Sequence, residues 1–184
     1  VTTLESRPTL HNSLIPLPPK IFAGRKNSCN VNVDIISETK PFMAAVEEHM
    51  QKTWQAGPVV AGETTLKGET TAVVKAVTAP YDRRINAGDV VFAEAAHVTA
   101  ALNSAADFHS IWSAVPVTLR ADYLRKVADL LEENLAELVA LCHKEAGKTI
   151  HDSLDEVREA VDFCRYYADQ ACENFGMPKT QVRF

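Results

Sequence analysis

The run EAGKTIHDSLDEVREAVDFCRYYADQA, from Glu145 to Ala171, decides the fold. Leu154, Val157, Val161, Cys164, Tyr167, Ala168, Ala171 and then Phe175 recur at three- and four-residue steps. That period predicts an amphipathic helix from about Ser153 to Phe175, with Gly176 just past its end. Gly147 supplies the left-handed conformation that ends the preceding helix, and Thr149 or Ser153 caps the next, Ser153 standing at capping-box spacing from Glu156. Glu156 and Glu159 fall on neighbouring parts of the helix surface, and Arg158 and Asp162 have the spacing of an ion pair. Taken as helix physics alone, these are ordinary solvated side chains.

The tripeptide Gly147-Lys148-Thr149 invites comparison with a phosphate-cradling P-loop, G-x-x-x-x-G-K-[ST] after a buried strand. The first glycine of that pattern would have to stand at Cys142, and the preceding residues read as helix. A P-loop is excluded on both counts, and the tripeptide is a joint between two helices.

Upstream, Leu119, Tyr123, Leu124, Val127, Leu130, Leu131, Leu135, Leu138, Val139 and Cys142 form one apolar stripe. They predict a single long helix starting near Thr118, with Arg120, Asp122, Arg125, Lys126, Asp129, Glu132, Glu133 and Glu137 on its solvated side. A further helix is expected to open after Asp89 and to run through the alanine-rich stretch to about Phe108, its alanines favouring close packing. The β-branched segment TTAVVKAV, within Val59–Ala79, predicts one or two strands ending at Pro80-Tyr81-Asp82. Before it, Phe42, Val46, Met50 and Trp54 share a face, so a helix is expected from Ser37, capped by Thr39, with Pro41 in its first turn and Gly57-Pro58 as its stop. Residues 1–36, with Pro8, Pro16, Pro18 and Pro19, read as an extended arm or linker, and residues 37–184 as the folded part.

The chain has 184 residues, is 46% hydrophobic and carries a formal charge of −5, within the range of a globular domain. That charge offers no electrostatic footprint for nucleic acid. No window approaches the roughly 18 consecutive apolar residues of a membrane span, and no signal peptide is evident, so a cytoplasmic protein is expected. Cys29, Cys142, Cys164 and Cys172 are irregularly spaced, which favours reduced thiols over a disulfide framework. Cys142, His143 and His151 lack any metal-ligand pattern, and Cys142 lies on an apolar stripe, so no metal is expected. The start at Val1 and the strand-like close at Gln181–Phe184 suggest a piece of a longer protein.

Several of these residues together resemble the aldehyde dehydrogenase family. The shared features are a strand region followed by Ala79-Pro80-Tyr81-Asp82, a helix with Trp112, the pattern R-A-x-x-L-R-x-x-A-D-L-L-E from Arg120 to Glu132, and E-A-G-K-T from Glu145 to Thr149. The segment EVREAVDFCRYYA (Glu156–Ala168) and the arm IPLPPKIFAGRKNS (Ile15–Ser28) are similar to the branch that oxidises L-glutamate γ-semialdehyde, and most like the dehydrogenase half of bifunctional proline-oxidising enzymes.

The resemblance implies an α/β parent enzyme of the aldehyde dehydrogenase fold. This chain would be its N-terminal part, mainly α-helical with a small β region. The implied reaction is NAD-dependent oxidation of glutamate semialdehyde, the opened form of 1-pyrroline-5-carboxylate, to glutamate. A cysteine thiolate attacks the aldehyde, hydride passes to the nicotinamide and a glutamate activates the water that releases product. The family places the cysteine, that glutamate and the NAD-binding glycine turn beyond Phe184, so no catalytic or NAD-binding residue is expected here, and the chain alone is expected to be inactive. FAD enters only if a proline dehydrogenase half precedes the chain.

One site residue is carried over: by its spacing to the Asp162-Phe163 pair, Glu159 matches the glutamate that borders the semialdehyde pocket and receives the substrate's amino group. Glu156 is the lesser candidate. Packing against the remainder of the dehydrogenase, and oligomerisation, are also implied. Two alternatives stand beside this: a noncatalytic helical interaction or assembly module, and an aldehyde dehydrogenase of another substrate class, such as a succinic semialdehyde enzyme.

Overall fold

A computed structural model describes residues 14–22, 24–66 and 72–176. After a single 3₁₀ turn at Pro18–Lys20 come α1 (Ile36–Met50), β1 (Trp54–Ala56), β2 (Val59–Val60), β3 (Glu63–Thr64), β4 (Val74–Thr78) and β5 (Asn86–Val91). Four helices follow: α2 (Ala95–Ala114), α3 (Val117–Glu133), α4 (Leu135–Ala146) and α5 (Ile150–Phe175). The chain is thus mainly helical with a small β region, as its sequence predicts. One mixed sheet has the order β1-β5-β4, with β1 parallel and β4 antiparallel to β5, and β2 and β3 form a separate antiparallel pair.

The central strand β5 occupies residues where a helix start was expected at Asp89. The neighbours on both sides explain the difference, because β5 exchanges backbone hydrogen bonds with two strands and buries Ala87 and Val91. Local propensity cannot outweigh a doubly paired ladder. Gly88 permits the pairing: a Cβ there would lie 2.0 Å from the Trp54 carbonyl oxygen. The helix begins instead at Ala95, where Glu94 and His97 form a reciprocal cap in which the Glu94 N–H donates to His97 Nδ1 at 3.0 Å. It ends at Ala114, beyond the expected Phe108, and buries no residue among those described, so its alanines do not serve close packing.

Helix α1 begins at Ile36 with Ile35, not Thr39, at its N-cap. Thr39 lies inside the helix, and its hydroxyl donates to the Ile35 and Val33 carbonyls at 2.9 Å each. The helix stops at Met50, well before Gly57-Pro58, and Trp54 belongs to β1. Lys144 supplies the stop: buried at 4% exposure, its ammonium donates to the carbonyls of Met50 (3.1 Å) and Lys52 (2.5 Å) and lies 5.4 Å from the Trp54 ring centroid. A cation at the carbonyl end of a helix satisfies its orphan acceptors. The residue that ends α1 therefore stands more than 90 positions away.

The expected single helix over residues 118–142 is two, α3 and α4, broken at Asn134 (φ −104°, ψ 19°), and Pro116 rather than Thr118 precedes the first turn. The stripe divides with it. Leu131, Leu135, Leu138 and Val139 face the core shared with Val46, Ala140, Leu154 and Val157, whereas Leu119, Tyr123, Leu124, Val127 and Leu130 are all more than a third exposed. The face of α3 turned to α5 carries Ala121 and Ala128, both buried, two turns apart. Small side chains there let the two helix axes approach closely.

Gly147 joins α4 to α5 in the left-handed conformation (φ 69°, ψ 21°), as its position predicts. Thr149 is the N-cap of α5, its hydroxyl oxygen accepting from the Asp152 N–H at 3.1 Å. Ser153 is not the cap; it is fully buried and its hydroxyl donates to the Thr149 carbonyl at 2.7 Å. Gly147→Ala should destabilise the protein by about 1–2 kcal/mol from the left-handed backbone alone. The added Cβ would also meet Pro80 Cγ at 2.8 Å, so the loss of thermal stability should exceed that of Gly24→Ala, whose left-handed glycine has open space around it.

Candidate functional site

The helix that follows the Gly147 joint presents its solvent side as an open groove of about 580 Å³, lined by Lys148, Asp152, Asp155, Glu156, Arg158, Glu159, Asp162 and Phe163. Five carboxylates face two cations there. Four of the five are committed. Asp152 accepts from the Thr149 hydroxyl at 2.8 Å. Asp155 pairs with Arg158 at 3.1 Å and with His151 at 3.7 Å. Glu156 is paired with Lys148, which raises the lysine's pKa. Asp162 accepts twice from Ser28, at 2.7 Å from the backbone N–H and 2.9 Å from the hydroxyl. Arg158 therefore pairs with Asp155 and not, as its spacing suggests, with Asp162.

Glu159, the residue singled out by sequence, is the fifth. It is exposed and takes part in no hydrogen bond or ion pair among the described residues. Phe163 flanks it one turn on, half-exposed, its ring 6.2 Å from that of Tyr167. The groove thus offers one unengaged carboxylate beside an aromatic edge, suited to a ligand with a cationic head and a short aliphatic body.

The arm holds α5 in place from behind. Arg165, 6% exposed, donates to both oxygens of Glu132 at 3.0 and 2.7 Å, to Asp129 at 3.0 Å and to the Asn27 carbonyl at 3.3 Å. Glu132 also accepts from Lys26 at 3.1 Å and from the Cys29 N–H at 2.7 Å. Arg25 lies over the Phe22 ring, 4.5 Å from its centroid, and 5.3 Å from that of Tyr166. Asp129 and Glu132, read from spacing as solvated, are instead the anchors of α5 and the arm. Sequence held one signal for this: Arg165 interrupts the apolar face of its helix, which an unpaired charge cannot do.

His143 Nδ1 donates to the Lys148 carbonyl at 2.7 Å, and its ring lies 5.3 Å from that of Tyr81, so Lys148 and Thr149 are tied to a helix joint. Burial pushes the Cys142 thiol pKa up, the reverse of an activated nucleophile. Among the described residues the four cysteines form no disulfide, no cluster has metal-ligand geometry, and no helix is long and apolar enough to cross a membrane.

Helices α3 to α5 in this order, with the sheet beside them, recur in proteins of known class. The aldehyde dehydrogenase family model matches residues 67–181, and the chain belongs to that family. The bifunctional protein PutA of Salmonella typhimurium is 33% identical over 162 residues, 88% of this chain and 12% of that protein. A crystal structure of a bifunctional proline utilization A protein is 30% identical, with a TM-score of 0.64, over 91% of this chain and 14% of that one. The 1-pyrroline-5-carboxylate dehydrogenase from Thermus, solved with bound NAD, shares the fold with a TM-score of 0.77 at 23% identity, over 89% of this chain and 31% of that one. The chain spans about an eighth of the length of the PutA proteins it matches.

The Arg165 carboxylate cluster makes a pH-dependent contribution. The Arg165 guanidinium, followed by the Cys29 N–H and Lys26, holds the Glu132 pKa down at about 2, against an ordinary 4.5. A carboxylate with a depressed folded pKa stabilises the fold fully above its unfolded value and loses that effect as pH falls. The stabilisation should therefore be complete above pH 4.5 and decay between pH 4.5 and about 2. Denaturation curves across that window should show a steeper loss for the native sequence than for Glu132→Gln, with arm amide exchange at Cys29 rising in parallel.

Proposed function

We propose that this chain forms the N-terminal part of an NAD-dependent dehydrogenase that oxidises L-glutamate γ-semialdehyde, the opened form of 1-pyrroline-5-carboxylate, to glutamate, as in the dehydrogenase half of bifunctional proline-oxidising enzymes. The observation that carries this is the state of Glu159. Every other carboxylate in the groove is engaged, so a substrate ammonium arriving there has one free acceptor. The similarity to PutA proteins, which runs through both the arm and α5, supports the substrate class.

NAD does not fit the groove itself. Five carboxylates would repel its pyrophosphate, and the sequence offers no glycine-rich turn ahead of a helix to cradle one. In this proposal the chain's own residues bind and orient the amino-acid end of the substrate, and cofactor and nucleophile come from elsewhere in the enzyme. The exposed apolar face formed by Trp112, Tyr123, Leu124, Val127 and Phe175 is suited to packing against that remainder.

Two measurements test the proposal. The 184-residue chain, incubated with NAD and glutamate semialdehyde, should form no NADH; turnover would refute the division of labour. In the enzyme that carries the chain, Glu159→Ala should raise KM for glutamate semialdehyde by about tenfold or more, since a hydrogen bond to a charged group contributes about 1.5–3 kcal/mol. An unchanged KM would remove Glu159 from the site.

A further inference from the structure

Asp162 stands three residues after Glu159 on α5, and side chains at that spacing are neighbours on a helix surface. Both line the same groove. Only one is free, because Ser28 of the arm, 6% exposed, holds Asp162 by both of its oxygens, at 2.7 Å and 2.9 Å. A two-point hydrogen bond from a buried donor fixes the carboxylate's rotamer and takes one lone pair on each oxygen, which makes it a weaker acceptor for a ligand than an unengaged carboxylate. The arm reaches this position because Lys26, Asn27 and Cys29, on either side of Ser28, are each bound to the Glu132–Arg165 cluster.

From this geometry we infer that Ser28 is a positioning residue for substrate recognition: by tying Asp162 to the arm, it leaves Glu159 as the one acceptor for the substrate ammonium. The inference rests on the assignment of Glu159 above. Without the Ser28 hydroxyl, Asp162 Oδ2 is released while the residue 28 N–H still holds Oδ1, and two carboxylates with an open oxygen then stand about 5–6 Å apart along the helix. The ammonium could then bind at either, and since the aldehyde must reach one fixed nucleophile, the second pose would be unproductive. The clamp therefore sets the register of the substrate, and its strength for binding comes second.

Unproductive binding has a kinetic signature, because it lowers kcat and KM by the same factor and leaves kcat/KM unchanged. In the enzyme carrying this chain, Ser28→Ala, which removes the hydroxyl bond to Asp162 and keeps the backbone one, should lower both constants for glutamate semialdehyde by about twofold, the value for two acceptors of equal strength. Glutarate semialdehyde, which has hydrogen in place of the ammonium, should keep both of its constants. Ser28→Thr, which retains the hydroxyl, should restore the native values, and so should Asp162→Ala added to Ser28→Ala, since it removes the competing acceptor. A fall in kcat/KM for both substrates alike, unrescued by the second substitution, would mark Ser28 as merely structural and overturn the inference. So would unchanged constants in Ser28→Ala. Either result leaves the Glu159 assignment standing where Glu159→Ala raises KM; if that variant behaves as the native enzyme, the assignment and the inference fall together.

Discussion

The buried guanidinium of Arg165 is the interaction on which this arrangement depends. It gathers Glu132 and Asp129 from α3, the Asn27 carbonyl from the arm, and α5, to which it belongs, around one charge. A charge this deep is tolerated because every donor direction that matters finds an oxygen, two of them on one carboxylate in parallel. Removing either partner would leave the other buried and uncompensated, a cost that can reach about 3–5 kcal/mol. The cluster gives little by way of attraction alone, yet it specifies which faces of α3 and α5 meet.

That specification reaches the groove indirectly. The Ala121–Ala128 face brings α3 against α5, the cluster fixes their register, and the arm laid across both delivers Ser28 to Asp162. On the adjoining, solvent-facing side of α5 the outcome is a row of carboxylates of which, among the described residues, only Glu159 is unengaged. The state of the groove's carboxylates thus follows from how the adjoining face of the helix is anchored.

How much of this the sequence discloses follows from the range of the interactions. Helix α5 and its Gly147 joint were legible, because period and backbone freedom act within a few residues, and Thr149 was one of the two caps the spacing offered, although the helix begins three residues before the expected Ser153. Glu159 was singled out through its family context, and the role proposed for it rests on that resemblance. What was not legible depends on distant partners. Asp89 looks like a helix cap until two neighbouring strands claim its backbone. Trp54 continues a helical face until Lys144 closes α1 ahead of it. The carboxylates of α3 look solvated until Arg165 and the arm arrive, and the leucine stripe of α3 looks like a core until alanines take that role. Arg158 and Asp162 satisfy a helical pairing rule, but each has a better partner elsewhere.

The arm's contacts also have a consequence in time. Ser28 and Asp162 are separated by 134 residues, and Asn27 and Arg165 by 138. During synthesis the arm leaves the ribosome before α5, and at typical elongation rates its partners on that helix follow on the order of ten seconds later. Val31 and Val33, which pack on the core beside Val139 and Leu154, wait over the same interval. The arm is therefore among the last segments to find its place, and loop closure over such a span is an entropic step the completed helices must offset. Throughout that interval Lys26, Ser28 and Cys29 are without the α3 and α5 carboxylates that hold them in the finished fold.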